Sequence, residues 1–181
     1  MSPAEPVRRC RWQDGPRLVL FGRGVVADAA EALGSGYALL TTPRAGAVAP
    51  AVVAAAGSVH EVPSGFVDEI AGDLRESVSS ELIVAPGGGR VIDVSKALVA
   101  AGAGARAAAI PTTLSAAEMT GIHRHARGVP AETPRVRPLI VINDPALSAS
   151  QPIEELAAST LNALGHAVEG PLTPLANPVA T

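Results

Sequence analysis

The sequence predicts an α/β fold, a Rossmann-like parallel sheet with helices on both faces, from three observations. Between Arg17 and Ile110, short apolar runs alternate with segments of helical periodicity. Glycine and proline stand at the joins between them. One apolar run, Leu82-Ile83-Val84-Ala85, leads through Pro86 into Gly87-Gly88-Gly89, and a helical pattern on Val91, Ile92, Val94 and Leu98 begins at once. Such a strand, glycine turn and helix is built for an anion. Glycine permits positive φ and close approach to the main chain, and the first-turn amides of the helix are unpaired donors carrying partial positive charge. A diphosphate fits there. Taken alone, the same residues also suit an ordinary strand-to-helix turn.

Taken in order, Arg17 to Phe21 reads as a strand ending at Gly22 and Gly24, and Val25 to Leu33 as a helix ending at Gly34. Tyr37 to Thr41 is a second strand and Ala47 to Ala56 a helix closed by Gly57. Val59 to Val62 is a third strand, Val67 to Val78 a helix and Leu82 to Ala85 a fourth strand. The glycine turn and its helix follow, then Ala107 to Ile110 as a fifth strand. Ligands of such sheets sit at the carboxyl ends of the strands, where Thr41-Thr42-Pro43, the glycines and Pro111-Thr112-Thr113 emerge. Beyond Ile110 the regularity breaks. Gly121 to His125 and Pro134 to Ile142 read as extended segments of a hairpin-like excursion that Asn143-Asp144-Pro145 ends. A last helix starts at Pro152 with Glu154 and Glu155 in its first turn, and its stripe of Leu156, Leu161, Leu164 and Val168 runs to Gly170. The prolines at 171, 174 and 178 forbid its continuation.

Composition narrows the function classes. At 181 residues and 48% apolar, the chain is long enough for a real core, and with aromatics at 2% that core must be made of small aliphatic side chains. A net charge of −3 and the lack of a long Lys/Arg block argue against nucleic-acid binding. Arg8, Arg9 and Arg11 read as a solvated segment. The single cysteine, Cys10, has no internal disulfide partner. No leader-like segment is evident, which makes a cytoplasmic location the expectation, and no apolar run approaches the roughly 20 residues that span a bilayer.

Several stretches in fixed order resemble the iron-containing alcohol dehydrogenase and dehydroquinate-synthase-like superfamily, and within it the maleylacetate reductase branch. They are Leu40 to Arg44, Gly87 to Lys96, Ile110 to Thr120, Arg135 to Pro145, and Asn162-Ala163-Leu164-Gly165-His166-Ala167-Val168-Glu169. The resemblance implies an N-terminal nucleotide-binding α/β domain, here residues 1–150, and the start of an all-helical domain, residues 151–181. It implies that Gly87, Gly88 and Gly89 hold the pyrophosphate of NADH or NADPH. Asp93 and Lys96 match an Asp-x-x-Lys on the following helix, where Asp93 would cap or bond near the dinucleotide; the alternative is an exposed i,i+3 surface pair. Thr112, Thr113 and Ser115 would lie beside the nicotinamide. Thr42 takes the place where many NAD-specific members carry an acidic residue, and with Arg44 nearby NADPH is not expected to be strongly rejected.

Two departures bear on chemistry. The usual Ser-Gly-Ser-Glu is Ser115-Ala116-Ala117-Glu118, without one glycine and one hydroxyl. Metal-dependent members carry Asp four residues before His, whereas this chain has Asn162 and His166, and an amide is a weak neutral ligand for a transition metal. Maleylacetate reductases carry Asn there too and are regarded as metal-independent. No metal is therefore expected, and His166 is the candidate catalytic residue lining the cleft; the alternative is a helix-interface histidine without chemistry. Two lesser patterns are a His123/His125 pair at metal-ligand spacing and a Ser115, His166, Asp144 triad lacking a nucleophile elbow.

The first functional expectation is thus an NAD(P)H-dependent reductase half acting on a small dicarboxylate, maleylacetate, with a separate helical-domain subunit or a second copy completing the site. The alternatives are a non-catalytic nucleotide-binding or interaction module, or a repurposed biosynthetic protein.

Overall fold

The computed structural model describes residues 9–172. Its strands are β1 (Cys10–Asp14), β2 (Arg17–Phe21), β3 (Ala38–Thr41), β4 (Ser58–Glu61), β5 (Ser80–Gly87), β6 (Gly104–Pro111) and β7 (Ile140–Asn143). They form one sheet in the order β1-β2-β7-β6-β5-β3-β4, parallel throughout except for the antiparallel pair β1-β2. The helices are α1 (Ala29–Leu33), α2 (Pro43–Ala47), α3 (Pro50–Ala54), α4 (Val67–Leu74), α5 (Gly89–Ala100), α6 (Pro145–Ser148) and α7 (Ile153–Glu169).

Side-chain alternation along the strands divides the core into two layers. Ala38, Leu40, Ile83, Ala85 and Ala109 face α4 and α5, packing on Ile70, Val91, Ile92, Val94 and Leu98. Leu39, Leu82, Val84, Ala108, Ile110 and Ile142 face the other side, with Val25, Ala29, Leu33, Val52 and Leu147. Both faces are covered, as the near-continuous apolar runs require. The alanine run of β6 matters here, because Ala107, Ala108 and Ala109 are fully buried and let helices lie close on the sheet. No helix among the described residues is long and apolar enough to cross a membrane.

Four expectations are corrected. The polar start forms strand β1, each residue of which is exposed, and Arg9 just before it donates to the Arg23 carbonyl at 3.1 Å and pairs with Asp28 at 3.4 Å; Arg8 lies outside the described residues, as does the chain beyond Leu172. The helix expected over Ala47 to Ala56 is two short ones, because Pro50 starts α3 and Ala49 before it leaves the helical region. The helix from Val67 ends at Leu74, four residues early. The excursion after β6 is not a hairpin. Gly121 to His125 is irregular, and Ile140–Asn143 inserts as a parallel strand between β2 and β6, where Val141 and Ile142 are fully buried.

The long connection from β6 to β7 is held by side chains rather than by a ladder. Lys96, on α5 and fully buried, donates to the carbonyls of Ala117 at 2.9 Å, Thr120 at 3.2 Å and Ile122 at 2.8 Å. Its fourth neighbour is the Asp93 carboxylate at 2.7 Å, an ion pair whose angle lies off the hydrogen-bond direction. Arg17 closes the far end, donating to Pro138 O at 3.2 Å and Glu118 O at 3.1 Å. His123 Nε2 accepts from Val136 N at 2.9 Å.

Removing the ammonium would leave three carbonyls and a carboxylate uncompensated in the interior. Lys96→Met is therefore expected to destabilise the protein by roughly 3–5 kcal/mol in urea unfolding, the scale for breaking a buried charged network from one side. A loss under about 1 kcal/mol would mean that the connection is held without it.

Candidate functional site

Parallel strands bring their carboxyl ends to one edge, and there Thr41, Gly87 and Pro111 end β3, β5 and β6. Gly87 and Pro111 are register partners, and Thr112 N donates back to Gly87 O at 2.9 Å. Thr41, itself buried, donates from Oγ1 to Pro86 O at 2.9 Å and ties β3 to the glycine turn. The turn thus sits between two threonine-bearing strand ends.

Gly87, Gly88 and Gly89 are not among the glycines with positive φ. Their role is clearance. A Cβ on Gly87 would lie 2.5 Å from Val91 Cβ, one on Gly88 2.8 Å from Thr113 Cγ2, and one on Gly89 3.1 Å from Ser115. The absent side chains let α5 and the 112–115 loop close on the same small space. Gly88 precedes α5 and provides no side-chain cap, so the first-turn amides of this twelve-residue helix face the turn unsatisfied by any cap. Thr112 and Thr113 carry buried Oγ1 atoms without hydrogen-bond partners. Orphaned buried hydroxyls are uncommon in folded proteins, and two adjacent ones beside an uncapped helix start form a donor set suited to an oxygen-rich ligand.

The other expected residues are distributed differently. Ser115 is exposed beside the turn, and its Oγ accepts from Ala117 N at 3.4 Å. Thr42 is the N-cap of α2, accepting from Ala45 N at 3.3 Å. Asp93 is 28% exposed and paired with a wholly buried Lys96, so the pair is an internal anchor rather than an exposed surface pair. His166 and Asn162 are exposed on α7, a helix with no buried residue, and the structure does not bring His166 to the glycines. A bond from Leu114 N to Ser159 Oγ at 3.2 Å links α7 to the 112–115 loop.

The lesser patterns dissolve on contact with geometry. Asp144 is spent on capping, with Oδ1 accepting from Ala146 N at 3.1 Å and Oδ2 from Val26 N at 3.4 Å. His123 uses both ring nitrogens, Nδ1 donating to Arg124 O at 2.8 Å while Nε2 accepts from Val136 N. That fixes a neutral tautomer, consistent with burial pushing its pKa down. No group of three His, Cys, Asp or Glu side chains that could hold a metal occurs among the described residues.

Known proteins share this fold. No protein-family model matches the chain. Maleylacetate reductase from Sphingobium indicum is 32% identical over 181 residues, covering 92% of this chain and 51% of the relative. The solved maleylacetate reductase of Agrobacterium tumefaciens superposes with a TM-score of 0.73 at 26% identity, covering 95% of this chain and 53% of that one. The chain matches the N-terminal domain of the maleylacetate reductase branch. It spans about half the length of the maleylacetate reductases it matches. Sulfoacetaldehyde reductase from Bifidobacterium kashiwanohense, solved in complex with NAD+, has the same fold at a TM-score of 0.63 and 26% identity, over 89% of this chain and 53% of that one.

Next in the chain after Ala117 stands a carboxyl that the sequence presents only as part of a motif. Glu118 is 4% exposed; Asn143 Nδ2 donates to its Oε1 at 3.4 Å, and its Oε2 is buried without a partner. Burial pushes its pKa above the ordinary 4.5, against the lowering pull of its own backbone amide, Lys96 and Arg17. The only sequence signal was an acid inside a short apolar segment. A carboxyl raised in the folded state contributes most when protonated in both states, and that contribution is lost as pH rises through the folded value. Glu118→Gln, which keeps the acceptor oxygen, should thus raise stability more at pH 8 than at pH 5 in paired urea titrations. A larger loss at pH 8 would show that Lys96 and Arg17 outweigh desolvation.

Proposed function

We propose that this chain binds NADH or NADPH at the glycine turn and forms the cofactor half of a maleylacetate reductase-type oxidoreductase. The observation that carries the reading is the pair of unpartnered hydroxyls on Thr112 and Thr113 beside the uncapped start of α5. Gly87, Gly88 and Gly89 leave main-chain amides open to a pyrophosphate, and Thr112, Thr113 and Ser115 offer donors to the nicotinamide end. Asp93 acts at one remove, through Lys96, by holding the 117–122 segment in place. The dinucleotide, when bound, supplies hydride to a carbon-carbon double bond of maleylacetate or a similar small dicarboxylate.

In this reading residues 1–150 are the nucleotide-binding unit and α7 opens a second, helical unit. Asn162 and His166 are four apart and share a face of α7, with His166 toward substrate and no metal required. Leu161, Leu164 and Val168 stay 69%, 58% and 59% exposed, a stripe that a second copy or a separate helical subunit would cover. A dinucleotide-binding module without catalysis is the second reading, favoured by the exposure of His166, which is not among the neighbours of the three glycines.

Gly88→Val is expected to abolish NADH binding in calorimetry while far-UV circular dichroism is retained. Equal affinity in variant and wild type would put the dinucleotide elsewhere. Light scattering should find the wild-type chain larger than a monomer and Leu161→Glu shifted toward monomer, since each large apolar side chain left in water forgoes about 1.5–3 kcal/mol of burial. A monomeric wild type that reduces maleylacetate unaided would contradict the shared-site reading.

A further inference from the structure

Resting on the dinucleotide reading above, we propose that Glu61 makes this chain select NADH over NADPH. A dinucleotide with its pyrophosphate on a strand-helix turn lays its adenosine toward the neighbouring strand ends. An acid there accepts from the ribose hydroxyls and opposes a 2′-phosphate. Next to β5 lies β3, and next to β3 lies β4. Their last residues, Thr41 and Glu61, are register partners.

Between these two strand ends and the α2-α3 corner is a cavity of about 390 Å³, lined by Thr41, Thr42, Gly46, Val53, Val59 and Glu61 among others. Its size falls within the roughly 300–1,000 Å³ of small-molecule sites. Its wall is largely aliphatic, suited to a planar base, and Glu61 is the one charged residue lining it among the described residues. The Glu61 side chain is exposed and has no hydrogen bond or ion pair among the described residues, so its charge is uncompensated.

The cation that sequence placed nearby is committed elsewhere. Arg44 Nη1 donates to Ser150 Oγ at 2.7 Å, before α7, and Arg44 does not line the cavity. Thr42, read as the residue standing in for an acid, already spends its hydroxyl capping α2. Under this assignment NADPH is disfavoured, against the expectation drawn from Thr42 and Arg44. A 2′-phosphate entering this cavity meets a carboxylate and no cation, whereas a 2′-hydroxyl meets an acceptor.

Calorimetric titration of NADH and of NADPH into wild type, Glu61→Gln and Glu61→Arg tests this. Wild type should bind NADH about tenfold or more tightly than NADPH, the scale of an uncompensated charge repulsion a few ångströms away in water-exposed surroundings. Glu61→Gln should shrink that ratio several-fold, mainly by tightening NADPH, and Glu61→Arg should invert it. Equal affinities in wild type, or a ratio unchanged in Glu61→Gln, would overturn the assignment while leaving the dinucleotide site intact. Failure of wild type to bind either dinucleotide would overturn both.

Discussion

The ammonium of Lys96 is the constraint on which the architecture of the site depends. It is wholly buried on α5 and is surrounded by three carbonyls and one carboxylate. A lysine so placed is tolerated only because its donors are matched, since an unpaired buried charge would cost several kcal/mol. The consequence is positional. The carbonyls belong to Ala117, Thr120 and Ile122, so the segment leaving β6 is drawn against the helix that starts at the glycine turn. Thr113 and Ser115 are thereby held over Gly88 and Gly89. A neutral residue at this place could fill the volume, but it could not gather three carbonyls to one point.

The glycines answer the same constraint from the other side. With α5 and the 112–115 loop drawn together, a side chain on any of the three would meet Val91, Thr113 or Ser115. Their common property here is lack of volume rather than freedom of φ. Where helix start and loop meet, α5 begins without a side-chain cap and the Thr112 and Thr113 hydroxyls are buried without partners. Close packing of small residues, alanine on β6 and glycine in the turn, serves both the core and the site.

Helix α7 stands apart from this economy. Its seventeen residues include none that is buried, and its apolar stripe and its Asn162-His166 face are both exposed. The α/β unit is well packed, while α7 is presented outward. That division agrees with a chain that spans about half the length of the maleylacetate reductases it matches.

Local signals were enough to read the strand-helix alternation, the glycine turn after β5, the threonines after β6 and the start and stripe of α7. Each is a matter of period or turn chemistry within a few residues. Tertiary structure alone placed Ile140–Asn143 between β2 and β6, because strand order is set by which apolar run fills a gap in the sheet, not by neighbours in sequence. It likewise decided that Lys96 reaches carbonyls more than twenty residues away, that Arg44 is spent on Ser150, and that Glu61 is the charge left facing the cavity beside Thr41. Periodicity and spacing announce elements and short motifs. Which charges are neutralised, and which remain to meet a ligand, depends on contacts between residues far apart in the chain, and only the folded arrangement brings those together.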